Sequence, residues 1–347
     1  MDFAFSEEQE MLRAAARSWL KAHYPADRVA SLADGEQGWD PQSWREFGTL
    51  GWLDPELGVL EYAVLAEEAG YALYPGPWWS TVALAGPVLG GLPDKPTTLA
   101  WAEAGAPDLR SAASSSATSA TRAAGAWTLS GTKQRVPDLA IAGSVLVVAA
   151  ADGGTGIWRV AVSGEDVIPV STVDRTRRLA ELRLDSAAAE PILAPGSAGD
   201  ALIAVRRRSL ALLACEAVGI TQWALDMSSA HAKERVQFGR PIGSYQGISH
   251  RVADVYTALQ LARSLAYRAA WAVDADAADV DEAVTVAAAS AGEGAVLACE
   301  SSMQVLGGIG FTWDHPLHRF YKRAQWIAAF DGTSRTHRAE LATALLG

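Results

Sequence analysis

Three stretches of this 347-residue chain hold side chains whose types and spacing can do chemistry. The first is Arg235-Val236-Gln237-Phe238-Gly239-Arg240-Pro241-Ile242-Gly243, between two long helical patterns. Arg240 sits there between a glycine and a proline, on backbone that can be pinned tightly, and its planar fork suits a phosphate or carboxylate better than a point charge would. An arginine in such a turn also serves as a helix cap or an ion-pair partner. The second stretch, Gln304-Val305-Leu306-Gly307-Gly308-Ile309-Gly310-Phe311, ends a helical pattern in glycines that permit close backbone approach. The third, Phe330-Asp331-Gly332-Thr333, presents a carboxylate in an Asp-Gly pair, which is equally a standard turn pairing. Glu216 stands in an apolar stretch, where an ion pair is the expected reason for a charge.

Composition narrows what such groups serve. Half the residues are hydrophobic, so the chain can bury a large core, and its length exceeds one average domain. A formal charge of −11 argues against nucleic-acid binding. The one dense basic run, Arg206-Arg207-Arg208, opens a helical pattern and reads as a solvated face, a salt-bridge set or a contact to an acidic ligand or subunit. Cys215 and Cys299 lie in Ala-rich helical sequence without metal-ligand spacing, so no metal site is expected. The first ten residues lack an apolar signal core, and no stretch reaches the roughly 18 uncharged apolar residues of a membrane span. A soluble, cytoplasmic protein is expected. The thirteen tryptophans are scattered, as core or interface packing would have them.

The elements that must position these groups follow from periodicity. Ser6, three residues before Gln9, reads as a capping box, and Met11, Leu12, Ala15, Trp19 and Leu20 then form a helical stripe ended by Pro25. Residues 41–50, 57–72 and 80–89 give three further short helical patterns. From Thr97 to about Pro195 the texture becomes β-branched and alternating, as in Ser144 to Ala149 and Gly156 to Val162. The Ser/Ala/Thr tract 111–124 reads as a surface connection or weak strands. Long helices are expected at 199–232, 244–273, 279–306 and 316–328, with a last one from Ser334 to Leu346. Ala, Val and Leu occupy more than one stripe of 244–273 and 279–306, so these two helices are expected to bury a second face against another chain.

Several of these segments resemble one family. Glu234, Arg235, Phe238, Gly239, Pro241, Ile242 and Gln246 stand as in the fourth-domain turn of the acyl-CoA dehydrogenases, and Gln304 to Phe311 resembles that family's second FAD-contacting segment. Phe330-Asp331-Gly332-Thr333 matches the stretch holding the base, and Phe5-Ser6-x-Glu8-Gln9-x-x-Leu12-Arg13 the opening helix. Asp174-Arg175-Thr176-Arg177 resembles, more loosely, the short subunit type of the actinobacterial heteromeric acyl-CoA dehydrogenases of steroid side chains.

The resemblance implies an α+β fold: an N-terminal helical domain over 1–96, a small β domain over 97–196 and a C-terminal four-helix bundle over 197–347. It implies α,β-desaturation of an acyl-CoA, a bulky one, with a carboxylate taking the α-proton and FAD the β-hydride. Asp331 then stands at the base position, one methylene shorter than the usual glutamate. Arg240, Phe238, Gln304, Gly307, Gly308 and Thr333 form the implied cofactor-binding set. An alternative base position on the first C-terminal helix is filled by Ser209. The flavin-holding Thr-Glu-Pro-Gly-Ala-Gly-Ser-Asp and Trp-Ile-Thr runs are altered here to Ala102-Glu103-Ala104-Gly105-Ala106-Pro107-Asp108 and Arg135-Val136-Pro137. Proline supplies neither hydroxyl nor N–H. The implied partners are an acyl-CoA, a flavoprotein electron acceptor, and a longer homologous subunit in a heterotetramer or else further copies of this chain. Two other readings remain: a non-catalytic subunit that completes a partner's FAD site, and a self-sufficient homo-oligomeric dehydrogenase.

Overall fold

In the computed structural model, which describes residues 5–347, the first helix, α1 (Glu7–His23), is started by its own cap. Gln9 N–H donates to the Ser6 hydroxyl at 3.2 Å and Ser6 N–H donates to the Gln9 side chain at 3.1 Å, satisfying two donors the helix would otherwise orphan. Phe3 and Ala4 lie outside the described residues. Pro25 ends α1 and also begins α2 (Ala26–Asp34), its carbonyl accepting from Val29 N at 3.1 Å. Next come α3 (Pro41–Thr49), capped by Asp40, and α4 (Val59–Tyr71). The pattern over 80–89 resolves into a π-helical turn, Ser80–Ala85, running into α5 (Gly86–Leu89).

The chain's contacts divide it into two units, Met1–Ser31 with Leu57–Tyr74 and Leu210–Gly347, and Leu32–Glu56 with Pro75–Ser209. The second holds β1 (Thr97–Ala100), α6 (Leu109–Ser114), β2 (Ser119–Ala123), β3 (Ala126–Pro137), β4 (Ser144–Ala151), β5 (Gly154–Val160), β6 (Val167–Val170) and β7 (Leu179–Leu193). The strands run in the order β1-β4-β2-β3-β7-β5, with β6 on β7. β5 also pairs with β4, from Val145↔Val160 to Ala151↔Gly154, so the sheet closes on itself. Leu129, Val136, Val145, Val147, Trp158 and Leu182 fill the interior of this ring and are fully buried.

The other unit is helical. α7 (Ala198–Glu234) enters it at Leu210 and ends in the two-residue strands β8 (Val236–Gln237) and β9 (Arg240–Pro241). α8 (Gln246–Asp274), α9 (Val280–Leu306), α10 (Leu317–Ala329) and α11 (Ser334–Leu346) follow, and α9 packs against α8, α10 and α11. α7 and a 32-residue segment from Val280 are long and apolar enough to cross a membrane, but 78% and 56% of their apolar windows are buried inside the protein, as in core helices.

α4 crosses α7 through two glycines. A Cβ on Gly70 would lie 2.1 Å from the Glu216 carbonyl oxygen, and one on Gly219 would lie 1.9 Å from the Glu67 carbonyl oxygen. Backbone on both sides cannot rotate away, so Gly219→Ala is expected to cost at least the roughly 1–3 kcal/mol of core overpacking. Gly247→Ala, whose added carbon meets nothing within 4 Å, is the matched control and should leave stability intact. Urea denaturation of the two variants checks this, and equal midpoints would show that α4 and α7 do not meet at Gly219.

Candidate cofactor and active site

The Arg240 turn is a two-residue hairpin. β8 pairs with β9 through Val236↔Pro241 and Gln237↔Arg240, and the loop residues Phe238 and Gly239 both have positive φ, 52° and 80°. Two left-handed residues are what a type I′ turn demands. Glycine meets the demand freely; phenylalanine meets it with strain, and the residue stands 92% exposed. Ile242 N–H donates to the Arg235 carbonyl at 2.8 Å and so locks the hairpin's base.

Tyr245 gives Arg240 its platform. The guanidinium carbon lies 4.0 Å from the Tyr245 ring centroid, and the Tyr245 hydroxyl donates to the Gln237 carbonyl at 3.2 Å. Among the described residues no carboxylate pairs with Arg240, so its fork is braced by an aromatic face while its N–H edge stays available to an outside anion. This is not the arrangement of a cap or an internal ion pair. Sequence reasoning missed Tyr245; the signal was an aromatic residue five positions past the arginine, opening α8.

The glycine segment follows α9. Gly307 takes φ 67° and ψ −137° at the helix end, a conformation that requires glycine, and residues Gly307–Phe311 form a 3-10 turn. Neither Gly307 nor Gly308 has anything within 4 Å of where a side chain would start, whereas Gly310 is held against Met303. Gln304 is exposed, as are Ile309, Phe311 and Trp313.

At the third stretch, α10 stops at Ala329, Phe330 is buried, and Asp331 (φ 52°) and Gly332 (φ 123°) turn the chain into α11. Aspartate tolerates that left-handed geometry better than most residues. Asp331 is half-buried. The Thr333 hydroxyl caps α11, accepting from Thr336 N at 3.4 Å, and so part of its hydrogen-bonding capacity is spent on the helix. At the alternative base position the Ser209 hydroxyl donates to the Arg206 carbonyl of its own helix at 3.1 Å, and buried Glu216, two turns on, is ion-paired with buried Arg323 as expected. Arg206 is itself buried rather than part of a solvated face. Cys215 and Cys299 are buried, and burial pushes both thiols up.

Within the β unit, the segments altered from the flavin-holding runs are occupied. Val136 and Pro137 are buried and paired to Ala180 and Leu179 of β7. Asp138, buried at φ 54°, gives its N–H to the Arg178 carbonyl at 2.9 Å and accepts from the Ser80 hydroxyl at 2.6 Å. The loop after β1 closes on itself, Glu103 N–H donating to the Ala106 carbonyl at 3.0 Å and Ala106 N–H to the Glu103 carbonyl at 3.3 Å. The Glu103 carboxylate turns inward to Lys133 and to the Ala117 and Thr118 N–H groups. Against burial, which raises it, hydrogen bonds from Lys133, Thr118 and Ala117 hold the Glu103 carboxyl down at about 2. Burial pulls the Lys133 ammonium down to about 8, against the raising effect of Glu103. The N–H groups of Glu103, Ala106 and Asp138 are therefore spent within the protein. Tested against a flavin, the hairpin and glycine segment fit, with an open cation and uncovered backbone; these β-unit segments do not.

Residues 207–346 match the family of the acyl-CoA dehydrogenase C-terminal domain. The acyl-CoA dehydrogenase IpdE2 of Mycobacterium tuberculosis is 34% identical over 337 residues, covering 93% of this chain and 92% of its own length. FadE34, an acyl-CoA dehydrogenase of the same organism, is 32% identical over 355 residues, which span 95% of this chain but 47% of FadE34. Among solved structures, a variant of the steroid ACAD Tcur3481-Tcur3483 superposes with a TM-score of 0.86 at 28% identity, covering 98% of both chains. With its fold, its Arg240 hairpin and a relative matched nearly end to end, the chain belongs to the acyl-CoA dehydrogenase family of FAD-dependent oxidoreductases.

Proposed function

We propose that this chain is one subunit of a heteromeric acyl-CoA dehydrogenase acting on a bulky, steroid-like acyl-CoA, and that it lends half of an FAD site to a longer homologous partner. The observation that carries this is the asymmetry just described: Arg240 stacked on Tyr245 with no carboxylate, against β-unit donors already spent. Arg240 would hold the cofactor's phosphate by charge-assisted bonds, Gly307 and Gly308 would let the backbone approach it, and Gln304, Phe238 and Thr333 would add side-chain contacts. FAD, when bound, accepts the hydride from the substrate's β-carbon as the α-proton leaves to a carboxylate. The Tcur3481-Tcur3483 steroid ACAD, named as a pair, supports the reading, as does FadE34, in which a segment like this chain is about half of a longer polypeptide. Tyr256, Leu261 and Leu297 are exposed on α8 and α9 and supply an apolar face for assembly.

In this reading Asp331 turns the chain rather than accepting the α-proton. Asp331→Asn should leave turnover of the reconstituted complex unchanged. The second reading, a self-contained site with Asp331 as base, draws on the carboxylate's half-buried place ahead of α11. It requires the loss of about 10²- to 10⁴-fold that follows removal of a general base. Steady-state kinetics of this one variant separates the two.

A further inference from the structure

A cavity of about 540 Å³ opens among α1, α2, α4, α7 and α10, within the helical unit, and none of the site residues described above lines it. Its volume lies within the roughly 300–1,000 Å³ of small-ligand sites, and like them it is lined mainly by apolar side chains with a few charged ones.

One part of its lining is an aromatic pair. Trp223 of α7 and Phe320 of α10 stack with centroids 3.6 Å apart and planes 6° from parallel. Their facing sides are spent on each other and Phe320 is buried, so what the pair offers a ligand is apolar contact chiefly with the half-buried Trp223, backed by Phe320. α4 adds Leu73, which has φ 53° where the chain closes the helix through Leu73 N to Gly70 O at 3.1 Å and Tyr74 N to Ala69 O at 2.9 Å. Glycine is the usual residue at that position. Leucine accepts the strain and adds an isobutyl group to the cavity lining, and left-handed strain of this kind collects at ligand clamps.

The charged lining is unbalanced. Arg17, Lys21 and Arg319 line the cavity against a single carboxylate, Glu68. That carboxylate is fully buried and already taken by the Arg17 fork, whose second bond measures 2.9 Å, while Arg17 itself lies 4.1 Å over the Tyr71 ring. Lys21 is exposed on α1, so an entering acid group meets positive charge without displacing an internal partner.

We propose that this cavity binds a ring-bodied organic acid, its apolar body against Trp223 and the aliphatic lining of Leu20, Val29 and Leu73, and its acidic group toward Lys21. The site is independent of the FAD reading, because it uses none of those residues.

The test titrates the full-length chain with anilinonaphthalene sulfonate, an aromatic anion that fluoresces on desolvation, and with its uncharged analogue N-phenylnaphthylamine. One anion per chain is expected, at least about tenfold tighter than the neutral compound, the scale of one charge-assisted contact. Ala72→Trp, just past the end of α4, and Ala26→Trp, at the start of α2, should each abolish the binding of both probes. Lys21→Glu, a surface change that spares the fold, should weaken the anion about tenfold and leave the neutral analogue unchanged. Equal affinity for the two probes, several anions bound per chain, or a Lys21→Glu variant that binds the anion as before would overturn the proposal. So would undiminished binding in either folded tryptophan variant.

Discussion

Replacing Arg240 with alanine is expected to weaken FAD retention by the assembled complex about 10- to 150-fold while leaving this chain folded. A hydrogen bond to a charged group contributes about 1.5–3 kcal/mol, and each 1.4 kcal/mol is a factor of ten. The loss should show in retention alone, because Arg240 is exposed and rests on Tyr245 without closing any internal ion pair. Arg240→Lys should recover only part of it, since an ammonium keeps the charge but neither the bidentate fork nor the flat stack on the ring. Fluorescence-detected FAD release from the complex measures the effect. An alanine variant that retains FAD as the parent does would mean that the hairpin faces something other than the cofactor.

The second large effect concerns stability. Arg323 is 1% exposed and its partner Glu216 5%, so the pair is screened by almost no water. Arg323→Met removes the guanidinium and leaves the buried Glu216 carboxylate without that countercharge, at an expected cost of about 3–5 kcal/mol. Changing both partners together, Arg323→Met with Glu216→Leu, should recover most of that, because neither partner's charge is then left buried without the other. Denaturant midpoints for parent, single and double variants give the comparison. A double variant as unstable as the single one would show that the methionine packs badly and that the unpaired charge is not the cause.

Much of the fold was legible because its signals are local. Ser6 and Gln9 three residues apart do form the capping box, and the expected helix over 199–232 is observed as Ala198–Glu234. The alternating stretches Ser144 to Ala149 and Gly156 to Val162 fall on β4 and β5. What was missed needed contacts distant in sequence or overlooked caps. The Ser-rich tract 111–124 hides the end of α6, whose Asp108 cap accepts from Ser111 N at 2.7 Å, and the strand β2, which exists because it pairs with β3. α2 was lost by reading Pro25 only as a stop, although proline is as apt at a helix start. The π-turn at Ser80–Ala85 has no sequence signature of its own; there the Ser80 hydroxyl reaches Asp138, 58 positions away.

For the site, a tight turn was readable from Gly239 and Pro241, though not its two paired strands, and the ion-paired reading of Glu216 from its apolar surroundings; the structure supplies Arg323 as its partner. What residue types did not reveal is which donors are already spent. Nothing in Ala102 to Asp108 says that Glu103 turns inward to a buried lysine, or that its N–H closes its own loop. Those facts are what the half-site proposal rests on, and residue types alone do not carry them.

The flavin content of the purified protein tests the half-site directly. The chain expressed alone should carry no flavin absorbance, and the complex with its longer partner should carry one FAD for each pair of unlike chains. Stoichiometric FAD in a homo-oligomer of this chain, with the flavin ring against Arg135 to Pro137, would contradict the account.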